Sequence, residues 1–149
     1  MNELLTNKTF IAAFIAFISA QFFKVIVNLL LTREIDVKSG LGTGGMPSSH
    51  SATVSAISTC VGILHGAGST LFAVTLVLSL VVISDAVGIR RAAGRHAEVL
   101  NEWSKILSES FEHGFKPEDL RTLLGHTYPQ VFAGILLGCT SGALVAVYL

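Results

Sequence analysis

The run FIAAFIAFISAQFFKVIVNLLL at positions 10–31 carries a single formal charge, Lys24, and as a helix is long enough to cross the roughly 30 Å hydrocarbon layer of a bilayer. No basic segment precedes it and no small-residue cleavage pattern follows it. It is therefore expected to remain as a first transmembrane helix rather than to be removed as a leader. Three more apolar stretches follow, at 51–66, 69–89 and 131–149, the first of them short enough to be tilted or partly buried. Composition agrees: of 149 residues, 51% are hydrophobic and 13% charged, with mean hydropathy +0.66. That is room for one domain, 1–149, and the expected fold class is an all-α integral membrane bundle of about four transmembrane helices.

Net formal charge is zero, but the charges are unevenly placed. Between the spans, Arg33, Lys38, Arg90, Arg91, Arg95, Lys105, Lys116 and Arg121 fall on one side, whereas Lys8 stands on the other. The excess of cations in loops marks the cytoplasmic face. Both larger loops are thus expected in the cytoplasm and both termini outside, in what is expected to be the cell (inner) membrane. Cys60 and Cys139 lie in apolar segments without Cys-x-x-Cys spacing and read as small buried side chains.

In the first span Gln21, Lys24 and Asn28 stand at i, i+3 and i+7 and share a helical face. A lysine at that depth points into a bundle or wet cavity, or snorkels to the interface. Further along, Met46-Pro47-Ser48-Ser49-His50-Ser51 follows the glycine-rich run Gly42-Thr43-Gly44-Gly45. Proline at a first helical turn among hydroxyls predicts a helix N-terminus whose free N–H groups can face an anion.

After the third span, Ile89, Ala92, Ala93, Val99, Leu100, Trp103, Ile106, Leu107 and Phe111 keep three-to-four spacing. This predicts that the span continues as a cytoplasmic helix, with Arg95, Glu98, Glu102 and Lys105 on its solvated face. Pro117-Glu118-Asp119-Leu120 predicts a short helix ending at Gly125. Thr127-x-x-Gln130 has capping-box spacing at the start of the last span. That span carries Gly134, Gly138 and Gly142 at four-residue intervals, a stripe that lets another helix approach closely. Packing inside the bundle is the better use for it, since four helices offer few other close contacts. A homodimer seam is the alternative.

Cations, imidazoles and helix N-termini thus converge at the predicted cytoplasmic ends of the spans. Phosphate-ester cleavage without a metal needs donors for the phosphoryl oxygens, an in-line nucleophile, and an acid for the departing alkoxide. Histidine can serve in either of the last two roles near neutral pH. The histidines lack metal-ligand spacing and Asp85 is the only carboxylate at a membrane end, so neither a metal nor another cofactor is expected.

Pro47-Ser48-Ser49-His50 resembles the second motif of the type 2 phosphatidic acid phosphatase superfamily, which is related to vanadium haloperoxidases. More closely, G-G-M-P-S-S-H-S-A at 44–52, D-A-x-G-x-R-R at 85–91 with Gly94 and Asn101, and L-G-H-T-x-P at 124–129 resemble the divergent PAP2 family of small membrane proteins. The resemblance implies a phosphatase in which His126 is phosphorylated and His50 is the acid. Lys24, Arg90 and Arg91 would hold phosphate, helped by Ser49 and by backbone N–H groups near Gly45 and Ser48. The substrate would be a phospholipid, with phosphatidylglycerol phosphate or phosphatidic acid fitting a cytoplasmic site best, or an isoprenyl pyrophosphate. The membrane and this lipid are the expected partners; no nucleic acid is expected.

The chain departs from the larger superfamily at two motifs. Lys24 is followed by Arg33-Glu34 at a different spacing and without proline, and the places of a third-motif arginine and aspartate hold Leu120 and Gln130. Gln130 can orient an imidazole but cannot stabilise an imidazolium as a carboxylate does. Asp85 is the candidate substitute for that acid, unless it is an ion-pair partner of Arg90 or Arg91. His65 and His113 read as interface or loop residues. Two other readings stand beside the enzyme. One is a non-catalytic membrane protein holding anionic lipid head groups or a partner at the same basic pocket. The other is a small transporter or channel subunit, for which four spans without an inverted repeat are few.

Overall fold

A computed structural model describes residues 2–33, 45–110, 119, 120, 122 and 124–149. A short α1 (Asn2–Leu5) leads into α2 (Lys8–Thr32). Then come α3 (Ser49–His65), α4 (Thr70–Val87), α5 (Ile89–Ser110) and α6 (Tyr128–Tyr148). No strand occurs among the described residues. The chain is an all-α helical bundle, and three stretches, Lys8–Thr32, Thr70–Ser108 and Tyr128–Tyr148, are long and apolar enough to cross a membrane.

The fourth expected span, α3, has 17 residues and a rise of about 25 Å. It is the central helix, packed against α2, α4 and α6, with its largest interface on α6. Its buried positions are Ser49, Ser51, Ala52, Ser55, Ala56, Ser58, Cys60 and Val61. Hydroxyls and methyls serve here because the neighbours come close.

Burial is inverted relative to a water-soluble bundle. Ala12, Ala16 and Ala20 of α2, Ala52 and Ala56 of α3, and Val145 and Ala146 of α6 form the core. Phe14, Phe22, Leu30, Val77, Val81, Phe132 and Leu144 face outward. Lipid is as apolar as leucine, so nothing drives the large side chains inward. Small residues gain close backbone contact instead.

The glycine stripe of α6 provides the closest of these contacts. A Cβ on Gly134 would sit 2.5 Å from the Ser48 carbonyl oxygen, one on Gly142 2.5 Å from that of Ala56, and one on Gly138 would overlap the Ala52 oxygen. All three glycines are buried against α3 within one chain. This is the packing inside the bundle expected of the stripe. On the other flank Ser79 Oγ of α4 lies 3.0 Å from the Val54 carbonyl and 3.3 Å from Ser58 Oγ, a polar tie between helices.

Side-chain caps set the helix ends. The Asn7, Ser48 and Ser69 side chains each accept the N–H three residues on, satisfying one otherwise orphaned donor per helix. Pro47 therefore lies just outside α3 rather than in its first turn. The expected continuation of the third span also needs one correction. Gly88, at φ −97° and ψ −92°, separates α4 from α5, and a Cβ there would meet the Ser84 oxygen at 2.8 Å.

Of the short helix expected from Pro117 to Gly125, positions 117, 118, 121 and 123 lie outside the described residues, as do Gly42-Thr43-Gly44 and His113. Asp119, Leu120, Thr122 and Leu124 are not helical. The Asn101 side chain takes both backbone groups of Leu120, donating to its oxygen (2.8 Å) and accepting from its N–H (2.9 Å). Groups so occupied cannot enter an i to i−4 ladder.

Candidate active site

Local backbone contacts bring four helix ends together. The Ser48 N–H donates to the Gln130 carbonyl oxygen at 3.0 Å, pinning the start of α3 to the first turn of α6. The His126 N–H donates to the Ala86 oxygen at 2.9 Å, fixing the approach to α6 against the end of α4. Gly125 permits that approach. Its φ is +80°, a region costly for other residues, and a Cβ there would run into the Arg91 backbone nitrogen.

Lys24 turns into the bundle. It is 3% exposed, its Nζ donates to Ser49 Oγ at 3.3 Å, and its methylenes lie beneath Gly45. Of its companions on α2, Gln21 has a buried Oε1 without a hydrogen bond among the described residues. Ser48 is fully buried, and its Oγ lies 3.3 Å from the Ser51 N–H and 3.0 Å from Ser51 Oγ. With its N–H bonded to Gln130 and its hydroxyl engaged as a cap, Ser48 positions α3. That N–H, one of those expected to help hold phosphate, donates within the protein to Gln130.

His50, Asp85, Arg90 and His126 line one cleft of about 50 Å³, closed by Val82, Ala86, Leu124 and Gly125. The two histidines anticipated from separate motifs thus share a wall with a guanidinium. The charges of Arg90, Lys24 and Asp85 all act on His50. Asp85 forms an ion pair with Arg90 across the α4–α5 junction. Its candidacy as the acid behind a histidine is redirected by that pairing, because the Nδ1 side of His126 faces Gln130 instead.

Gln130 decides the state of His126. Its Oε1 accepts the Thr127 N–H at 2.9 Å, and since a backbone N–H can only donate, the amide atom there is the oxygen. The same oxygen lies 3.3 Å from His126 Nδ1, which must carry the proton. Nε2 is left with its lone pair on the far edge of the ring. Burial holds the His126 imidazole below the usual histidine range; the Gln130 hydrogen bond opposes this, and the positive charges of Lys24, His50 and Arg90 add to it. Burial and those charges favour the uncharged imidazole, with its proton on Nδ1, at neutral pH.

Arg91 is not in the cleft of Arg90 but shares another with His126. It lines a second, larger cleft of about 320 Å³ with Gly45, Arg95, Glu98, Thr127 and Gln130, while Leu124, Gly125 and His126 form the wall between the two. Gly94 lies in this cleft, where a Cβ would meet the Thr122 oxygen at 2.6 Å. Arg95, which the sequence places on a solvated face, also lines this cleft. Its i, i+4 relation to Arg91 was the available clue. Asn101, whose place in the sequence motif carries no indication of a partner, tethers the segment leading to His126 through Leu120.

The model of the divergent PAP2 family matches residues 5–141. A Bacillus subtilis (strain 168) protein named "Uncharacterized membrane protein YuiD" is 39% identical over 145 residues, covering 91% of this chain and 92% of that protein. No solved structure matches the chain.

Proposed function

Since this chain belongs to the divergent PAP2 family, we propose that it is a metal-independent membrane lipid phosphatase acting on a phosphomonoester head group at the cytoplasmic surface. The observation that carries this reading is the single cleft shared by His50, His126 and Arg90. His126 Nε2 attacks phosphorus, forming an N–P bond as the P–O bond to the lipid breaks. The electron pair leaves on the lipid oxygen, which takes a proton from His50. A water molecule then attacks the phosphohistidine and gives a proton to His50, inorganic phosphate departs, and both histidines return to their starting forms. Arg90 supplies positive charge in the cleft, and Lys24, bonded to Ser49 next to His50, adds its charge to both histidines. Phosphatidylglycerol phosphate and phosphatidic acid suit this chemistry, as does an isoprenyl pyrophosphate.

Purified protein in detergent micelles is expected to release phosphate from such lipids in the presence of a chelator and to be inhibited by vanadate, an analogue of pentacoordinate phosphorus. Absence of turnover across that panel favours the second reading, a non-catalytic binder of anionic lipid heads, for which the amide at Gln130 in place of a carboxylate is the supporting observation.

The Gln130 contact also predicts a pH dependence. The nucleophile is the uncharged imidazole, so kcat/KM falls as pH drops through the His126 pKa. Because burial lowers that pKa, the acid limb is expected below the ordinary value of about 6.5. In Gln130→Glu the new carboxylate favours the imidazolium, and the limb is expected to move up by about one pH unit. In Gln130→Leu the tautomer is no longer held, and kcat is expected to fall roughly tenfold to a hundredfold. A pH profile unchanged in Gln130→Glu removes Gln130 from the site.

A further inference from the structure

The larger cleft has a composition of its own. Arg91 and Arg95, one turn apart on α5, both line it and lie on the same helical face. Among the described residues neither is joined to a carboxylate by an ion pair, whereas Arg90 in the smaller cleft is held by Asp85. Glu98 also lines the larger cleft, so among the described residues two guanidiniums stand there with one carboxylate and the balance is positive.

Volume separates the two spaces as well. The cleft between the histidines offers about 50 Å³ and its neighbour about 320 Å³, so most of the room for the rest of a head group lies in the second. The 320 Å³ space begins on the other side of the His126 wall. A substrate phosphorus at His126 Nε2 therefore has a cationic chamber as its neighbour.

The geometry points to a second anion subsite formed by Arg91 and Arg95, and so to a preferred substrate whose lipid head carries two phosphates. One lies between His50 and His126 and the other against the two arginines. This rests on the phosphatase reading for the identity of the first subsite, but the charge and volume of the second stand without it. Two head-group chemistries supply such a pair: a diphosphate, or a terminal phosphomonoester joined through a short alcohol to a phosphodiester.

The test uses two matched pairs of lipids with the full-length protein in micelles. Geranylgeranyl diphosphate is compared with geranylgeranyl monophosphate, and dioleoyl phosphatidylglycerol phosphate with dioleoyl phosphatidic acid. Both kcat/KM and equilibrium binding are measured for each. In at least one pair the two-phosphate lipid is expected to be preferred by about tenfold or more, and Arg95→Gln should reduce that preference about tenfold, the effect of losing a charge-assisted contact. Arg95→Lys should restore part of it. The pair that shows the preference identifies the head-group chemistry.

Turnover without discrimination in either pair, or a preference indifferent to Arg95→Gln, overturns the subsite and leaves the phosphatase reading in place. Selective, Arg95-dependent binding without turnover has the reverse meaning: the subsite holds and the phosphatase reading fails.

Discussion

Replacing His126 with alanine should abolish lipid phosphate release, lowering kcat by about a thousandfold or more, and replacing His50 should produce a loss of similar size on a lipid ester by a different route. The two are separable because they handle different bonds. His126 Nε2 is the atom that bonds to phosphorus, so no choice of leaving group rescues its loss. His50 supplies a proton to an alkoxide, which a good leaving group does not need. With an aryl phosphate whose phenolate departs unprotonated, His50→Ala should recover most of the roughly hundredfold to ten-thousandfold contribution of general acid catalysis in the first step.

The phosphoenzyme should then accumulate, because the same side chain is missing when water must be deprotonated. Base-quenched protein labelled from ³²P-aryl phosphate should carry the label in His50→Ala and in smaller amount in the unaltered protein, but none in His126→Ala. Label on another residue, or equal loss on both substrate types in His50→Ala, defeats the assignment. The prediction depends on a geometric fact that neither motif carries alone: one cleft receives both imidazoles together with Arg90.

How much of this was legible beforehand depends on the range of the interaction concerned. Helix α2 could be read because a long apolar run is a local property, and the start of α6 because Thr127 and Gln130 stand three residues apart. The hydrogen bond from the Thr127 N–H to Gln130 Oε1 is that local relation realised. Its second consequence, the tautomer of His126, needed the ring to be seen on the same oxygen.

The partition of Arg90 from Arg91 was not legible. Neighbouring residues on a helix point about 100° apart, but which cleft each one enters depends on the segment that crosses α5 at Gly94 and Gly125. That crossing is held by Asn101 on Leu120, a contact nineteen residues apart in sequence, and no period in the chain announces it. The same tether explains why acids after Pro117 did not produce helix at Asp119 and Leu120. Asp85 illustrates a third case: sequence allowed it an imidazole or a guanidinium as partner, and the turn at Gly88 brings Arg90 to it.

Gly138 is the position where one added carbon should damage fold and site together. A Cβ there would overlap the Ala52 carbonyl oxygen and come within 2.8 Å of Ser55 Cβ. The first of these is backbone and cannot rotate aside. Relief requires α3 and α6 to separate along their largest interface. Gly138→Ala gains up to about 1 kcal/mol of helix propensity, yet overpacking should outweigh this and leave a net loss of about 2 kcal/mol. Gly138→Leu should prevent stable assembly of the pair.

The damage should reach the chemistry because the same interface ends in the bond from the Ser48 N–H to the Gln130 oxygen, one residue from the lysine-bound Ser49 and two from His50. Activity in Gly138→Ala should therefore fall before the protein unfolds, whereas Gly68→Ala, where an added Cβ meets nothing within 4 Å, should match the unaltered protein in both respects. Thermal unfolding in detergent and phosphate release on the same samples measure the two effects, and cross-linking separates their origin. Were the stripe a seam between copies, Gly138→Leu would yield a stable, folded monomer. Loss of the folded chain itself is expected, since Ala52, Ser55 and Ala56 of the same protomer already occupy the space a second copy would need.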